Sequence, residues 1–128
     1  MRKIKFRGQR VDNGEWAYGH IRIITVVQGK KYLMSDWFGN DLEVKPESVG
    51  QFTGLTDKNG NEIYEGDIIT FDGITSFDKI IIGEVKYSEV RLRYEYGKNG
   101  VWYTLYAVTM PTPRIIGNIH DTPELLNN

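Results

Sequence analysis

The chain of 128 residues has no cysteine, only two histidines, and alanine at only two positions, Ala17 and Ala107. Absence of cysteine removes disulfide frameworks, thiolate catalysis and cysteine-based zinc sites together, and suits a reducing compartment. Scarcity of the best helix former argues against a helical protein. No stretch approaches the ~20 consecutive apolar residues needed to cross a bilayer. The N-terminal MRKIKFRGQR has the positive charge of a signal peptide's first region but no apolar segment after it. Neither secretion nor a membrane partner is therefore expected, and the predicted location is the cytoplasm. The formal net charge of −1 leaves the chain without an overall basic field for nucleic acid.

What the sequence does contain is glycine, at 14 positions, and aromatic residues, with Tyr 8, Phe 5 and Trp 3. Gly-rich turns between aromatic and β-branched runs are the composition of a β protein. Ile4 and Phe6 alternate with Lys3, Lys5 and Arg7, the period of a half-buried strand. Asp12-Asn13-Gly14 reads as a turn, followed by a strand with Trp16, Tyr18 and His20 on one face. Val26-Val27, a Gln28-Gly29-Lys30 turn and Tyr32-Leu33-Met34 suggest another hairpin. Short helical turns are predicted near 46–49, with Pro46 at the first position, and at 122–126, with Thr122 as cap and Pro123 first. The segment DKNGNE, residues 57–62, is the strongest turn signal, and Ile68 to Phe71 follows as a strand. Ile80 to Tyr87 reads as a strand that is central or bent at Gly83. Leu92, Tyr94 and Tyr96 alternate with Arg91, Arg93 and Glu95 ahead of a Gly97–Gly100 turn and a strand from Val101 to Val108. Ile115 to His120 is the last strand. The expected fold class is all-β with antiparallel strands.

The stretch Gln51-Phe52-Thr53-Gly54-Leu55-Thr56-Asp57-Lys58-Asn59-Gly60, continuing Glu62 to Ile69, resembles the signature of the YopX family. The ending Ile116-Gly117-Asn118-Ile119-His120-Asp121-Thr122-Pro123-Glu124-Leu125-Leu126 is similar to that family's close. Lys5-Phe6-Arg7-Gly8, Asn13-Gly14-Glu15-Trp16 and Tyr18-Gly19 fit its opening. The resemblance implies a phage or prophage accessory protein with SH3-type barrel elements and a tendency to form homo-oligomers. It brings no catalytic residues. The chain is read as one YopX-like unit over 1–128, with sub-lobes at 1–52 and 53–128. In its signature, Gly66 permits a sharp turn and Asp67 is expected to accept bonds from nearby amides, with Ile68 or Ile69 pointing inward.

Constellations for chemistry are weak. Asp57, Asn59 and Asn61 occupy the first, third and fifth places of a calcium loop, but Glu62 and Ile68 stand where Gly and Glu are required. His20 and His120 lie one hundred residues apart. The carboxylate pairs Glu65 with Asp67 and Asp72 with Asp78 would be the resource of a hydrolase, and equally suit solvated turns. No catalytic residue, cofactor or metal is predicted. Two surfaces remain. Arg2, Lys3, Lys5, Arg7 and Arg10, near Trp16 and Tyr18, would follow a phosphate backbone, or simply form the Lys-rich face of a strand. Tyr94, Tyr96, Trp102 and Tyr106 would anchor a second copy or another phage or host protein, or fill two faces of a small barrel. The leading reading is a non-catalytic interaction or self-assembling module. A nucleic-acid module is second and a hydrolase third.

Overall fold

The computed structural model describes residues 3–71, 82–105 and 112–127. The chain divides into two compact units, Met1–Phe52 and Thr53–Asn128. Both are built of antiparallel strands. The only helical turns among the described residues are 3-10, at Pro46–Ser48 and Pro123–Leu126. No helix there is long and apolar enough to cross a membrane.

In the first unit β1 (Phe6–Gln9), β2 (Trp16–Val26), β3 (Gly29–Ser35), β4 (Asp41–Val44) and β5 (Gly50–Thr56) lie in the order β4-β3-β2-β1-β5. β5 runs past Phe52 into the second unit. β2 is one strand through Val26, where two were expected. Val26 pairs with Gly29, so Val27 and Gln28 alone turn the chain. Ala17, Met34 and Val44 are buried, with Phe6, Ile21, Tyr32, Leu42 and Val49 packed around them. Gly19 faces the Ser35 carbonyl so closely that no Cβ fits, which holds β2 tight against β3. The Pro46–Ser48 turn stands where proline predicted it. Its Ser48 hydroxyl accepts the Gln9 amide (2.8 Å) and donates to the Lys45 carbonyl (2.7 Å).

The second unit opens with the hairpin from β5 to β6 (Glu62–Tyr64) around the DKNGNE turn. Asp57, which the calcium-loop test singled out, serves the turn itself. Its carboxylate accepts the amides of Asn59 and Asn61, both at 2.9 Å, and of Ile115 at 3.1 Å. Burial alone would raise this carboxyl, and the three amides outweigh it, so its pKa falls below the usual range. β7 (Asp67–Thr70), β8 (Ile82–Ser88), β9 (Arg93–Lys98), β10 (Val101–Thr104) and β11 (Arg114–Asn118) form a sheet of order β10-β9-β8-β7-β11. β8 is therefore central, one of the two readings its sequence allowed. β11 returns beside β7, with a bulge between Ile115 and Gly117. The sheet is open among the described residues and does not close into a barrel. Ile63, Ile69, Phe71, Val85 and Leu105 form its buried cluster. Each aliphatic side chain there is worth ~1.5–3 kcal/mol relative to exposure.

The Gly66-Asp67 pair behaves as its chemistry suggested. Gly66 takes φ 92, which favours glycine. Asp67 is 2% exposed, and its carboxylate accepts the Tyr64 amide at 2.7 Å. Ile68 and Ile69 are both fully buried, because both faces of β7 are covered. The cap expected of Thr122 is not made. Its hydroxyl turns back to Asn118 instead, accepting the Asn118 amide and donating to the Asn118 carbonyl at 3.2 Å each. A single 3-10 turn has few orphan amides to reward a cap. Asp67→Ala would remove the acceptor from a buried amide. A loss of about 1–3 kcal/mol in urea unfolding is expected.

Candidate functional site

The basic residues of the N-terminal strand do not form one solvent-facing stripe. Regular pairing begins only at Phe6. Lys3 is exposed. Lys5 lies over the Phe52 ring at 5.2 Å. Arg7 is 6% exposed, with its guanidinium 4.6 Å from the centre of the Trp16 ring. Arg10 grips Asp12 through two bonds, at 3.0 and 2.7 Å. Arg2 lies outside the described residues. Pairing of β1 with β2 sets Arg7 opposite Tyr18, beside Trp16, so the cation is drawn onto an aromatic face.

That face carries a groove of ≈340 Å³, lined by Trp16, Tyr18, Trp37 and Phe38 together with Glu15 and Asp36. Trp16 and Tyr18 come from alternate positions of β2. Trp37 and Phe38 come from the β3–β4 turn. The Asp36 carboxylate accepts the amides of Phe38 and Asn40, both at 2.9 Å, and the Asn40 side chain at 3.1 Å. The Asn40 amide above all holds this carboxyl below its ordinary pKa. The turn so fixed leaves Trp37 60% and Phe38 89% exposed. Trp37 meets His20 edge-on at 5.2 Å. His120 belongs to the second unit.

The aromatic hairpin of the second unit divides its residues between two faces. Tyr94 and Tyr96 pack against the buried cluster, with Tyr96 5.0 Å from Phe71 and stacked on Tyr103 at 5.5 Å. Trp102 lies on the opposite face, with Lys86 4.0 Å over its ring. On that face Glu84 is pushed up by burial, against the pull of Lys86. Tyr106 lies outside the described residues, as do Asp72 and Asp78. Among the described residues no three His, Cys, Asp or Glu stand together as a metal site.

At the β8–β9 turn, Leu92 is not part of the strand its alternation suggested. β9 starts at Arg93, and Leu92 takes φ 55 with 74% of its surface exposed. Val90 beside it is 88% exposed. The turn is held from below by Glu95, which is fully buried although the sequence pattern set it on a polar face. Its carboxylate takes Arg91 at 2.6 and 2.8 Å and Arg93 at 2.7 Å. The Arg91 bonds, opposed by burial and helped by Arg93, lower the Glu95 pKa from 4.5 to about 2. The Ser88 hydroxyl accepts the Arg91 amide at 3.0 Å.

Sequence reading passed over Trp37, Phe38 and Val90, and placed Leu92 on a strand. The signal for the first pair was Asp36 ahead of Gly39-Asn40, an Asx turn that holds its intervening side chains outward.

A family model described as YopX protein matches residues 5–127. The chain belongs to the YopX family. No curated protein matches it. Among solved structures, it is similar to protein EF1440 from Enterococcus faecalis, at 21% identity over 98% of this chain and 99% of that one, with a TM-score of 0.49. Within this YopX-family chain, the candidate sites are therefore assigned from its own geometry.

Two measurements follow. Arg7→Glu would set a carboxylate against the Trp16 ring in a buried position, and should cost ~3 kcal/mol in urea unfolding. The exposed Lys3→Glu should stay within about 0.5 kcal/mol. Glu95, its pKa depressed on folding, contributes stability above about pH 4.5 that disappears as pH falls toward about 2. Glu95→Gln should lose about 1–3 kcal/mol at pH 7, toward the low end because both arginines are half exposed. It should also flatten this part of the acid-unfolding profile.

Proposed function

We propose that this YopX-family protein is a non-catalytic phage or prophage accessory protein. It acts in the bacterial host cytoplasm by self-association, burying the β8–β9 turn against another copy of the chain. The observation that carries this reading is Leu92: a bulky side chain in the left-handed region, exposed, with Val90 beside it. Such a conformation costs of order 1–2 kcal/mol and persists only where the surroundings impose it. Here the Glu95 clamp imposes it, and the side chains it presents are apolar. Exposed apolar residues on a rigid turn lose little entropy when covered.

A nucleic-acid role for the N-terminal strand draws less support. Arg7 lies on Trp16, Lys5 on Phe52, and Arg10 is paired with Asp12.

Light scattering tests the reading. The native protein should form a defined oligomer at micromolar concentration. Leu92→Gly suits a positive φ and removes the apolar side chain. It should leave the urea midpoint equal or higher while shifting the protein to monomer. A native monomer at high micromolar concentration, or an assembly indifferent to Leu92→Gly, would overturn it.

A further inference from the structure

We infer a second binding activity, independent of self-association. The groove between β2 and the β3–β4 turn takes an extended, proline-rich peptide segment that carries a Lys or Arg. Four aromatic rings, from Trp16, Tyr18, Trp37 and Phe38, line it. Aromatic-lined grooves suit polyproline II segments, which are extended before binding and lose little entropy on docking. The spacing agrees. Trp16 and Tyr18 are two residues apart on a strand, ~6.8 Å at ~3.4 Å per residue. Two residues of polyproline II advance ~6.2 Å. The rings on the turn are set in advance, because Asp36 accepts the Phe38 and Asn40 amides and fixes the backbone that carries them.

Charge selects the occupant. The first unit carries nine Lys and Arg against six Asp and Glu, yet the groove does not share that excess. Its one cation, Arg10, is met by Asp12 at 2.7 Å. The lining is left with the negative charge of Glu15 and Asp36, and the Asn40 amide holds the Asp36 carboxyl below its ordinary pKa. Arg7, stacked on the Trp16 ring at 4.6 Å, is 6% exposed, so two carboxylates of the lining stand against one buried guanidinium behind it. Stacked bases would also suit the rings, but their phosphates would meet two carboxylates. A peptide cation meets them favourably.

Calorimetric titration of the full chain tests this with three probes: a nine-residue peptide with a Pro-x-x-Pro core and a terminal Arg, the same peptide with Glu for Arg, and oligo(dT). The Arg peptide should bind saturably, and the Glu peptide about tenfold more weakly or not at all. Trp37→Ala, with an unchanged urea midpoint, should weaken the Arg peptide about tenfold or more. Glu15→Lys should abolish the preference for Arg over Glu. Leu92→Gly should leave peptide affinity unchanged, which separates this activity from self-association. No saturable binding of the Arg peptide at millimolar concentration, equal affinity for the two peptides, or oligo(dT) binding lost on Trp37→Ala would overturn the proposal.

Discussion

A carboxylate that accepts backbone amides at a turn is the interaction on which much of this structure rests. Asp67 does this inside the protein, at 2.7 Å from the Tyr64 amide. Asp57 does it for the DKNGNE turn and reaches on to Ile115 of β11. Asp36 does it for the β3–β4 turn. Two of these acids, Asp57 and Asp67, are almost fully buried. An ionised group there is tolerated because donors already point at it. In a protein without disulfides, and with little helix to order its connections, such turns set which strands meet and in what register.

Glu95 extends the device with guanidinium groups as the donors. Arg91, Arg93 and Glu95 look like a plain polar strand face, yet the acid is buried and the arginines fold over it. The consequence reaches the surface. With the backbone pinned from below, Leu92 is held at positive φ and Val90 is held outward. On the other unit the Asp36 turn does the same for Trp37 and Phe38. Rigid turns that present apolar side chains are suited to docking, since the ordering cost is met within the free protein.

Much of the fold was legible in the residues. Turn chemistry located the DKNGNE and GKNG hairpins, proline located both 3-10 turns, and period-two alternation located the strand carrying Trp16, Tyr18 and His20. Gly66-Asp67 could be read down to the hydrogen bond. The readings that failed depended on longer range. Thr122 prefers Asn118 to a cap because a 3-10 turn offers little to cap. Leu92 fits a strand by alternation, yet it stands in a turn held by the Glu95 clamp and the Ser88 hydroxyl. The basic stripe looked continuous because alternation ignores what lies across the sheet. Pairing with β2 brought Trp16 beside Arg7.

The sequence by itself determined that this protein is built of antiparallel strands joined by polar, glycine-bearing turns, and that it belongs among YopX chains. The strands and turns are local: each follows from the conformational freedom of a few neighbouring residues and from whether side chains alternate, whereas the place among YopX chains rests on resemblance. Tertiary structure alone decided which charged groups face water and which aromatic rings do. Arg7, Glu95 and Asp57 were withdrawn from solvent, while Trp37, Phe38 and Leu92 were left in it. Burial is set by partners distant along the chain, and the one-dimensional pattern carries no record of them.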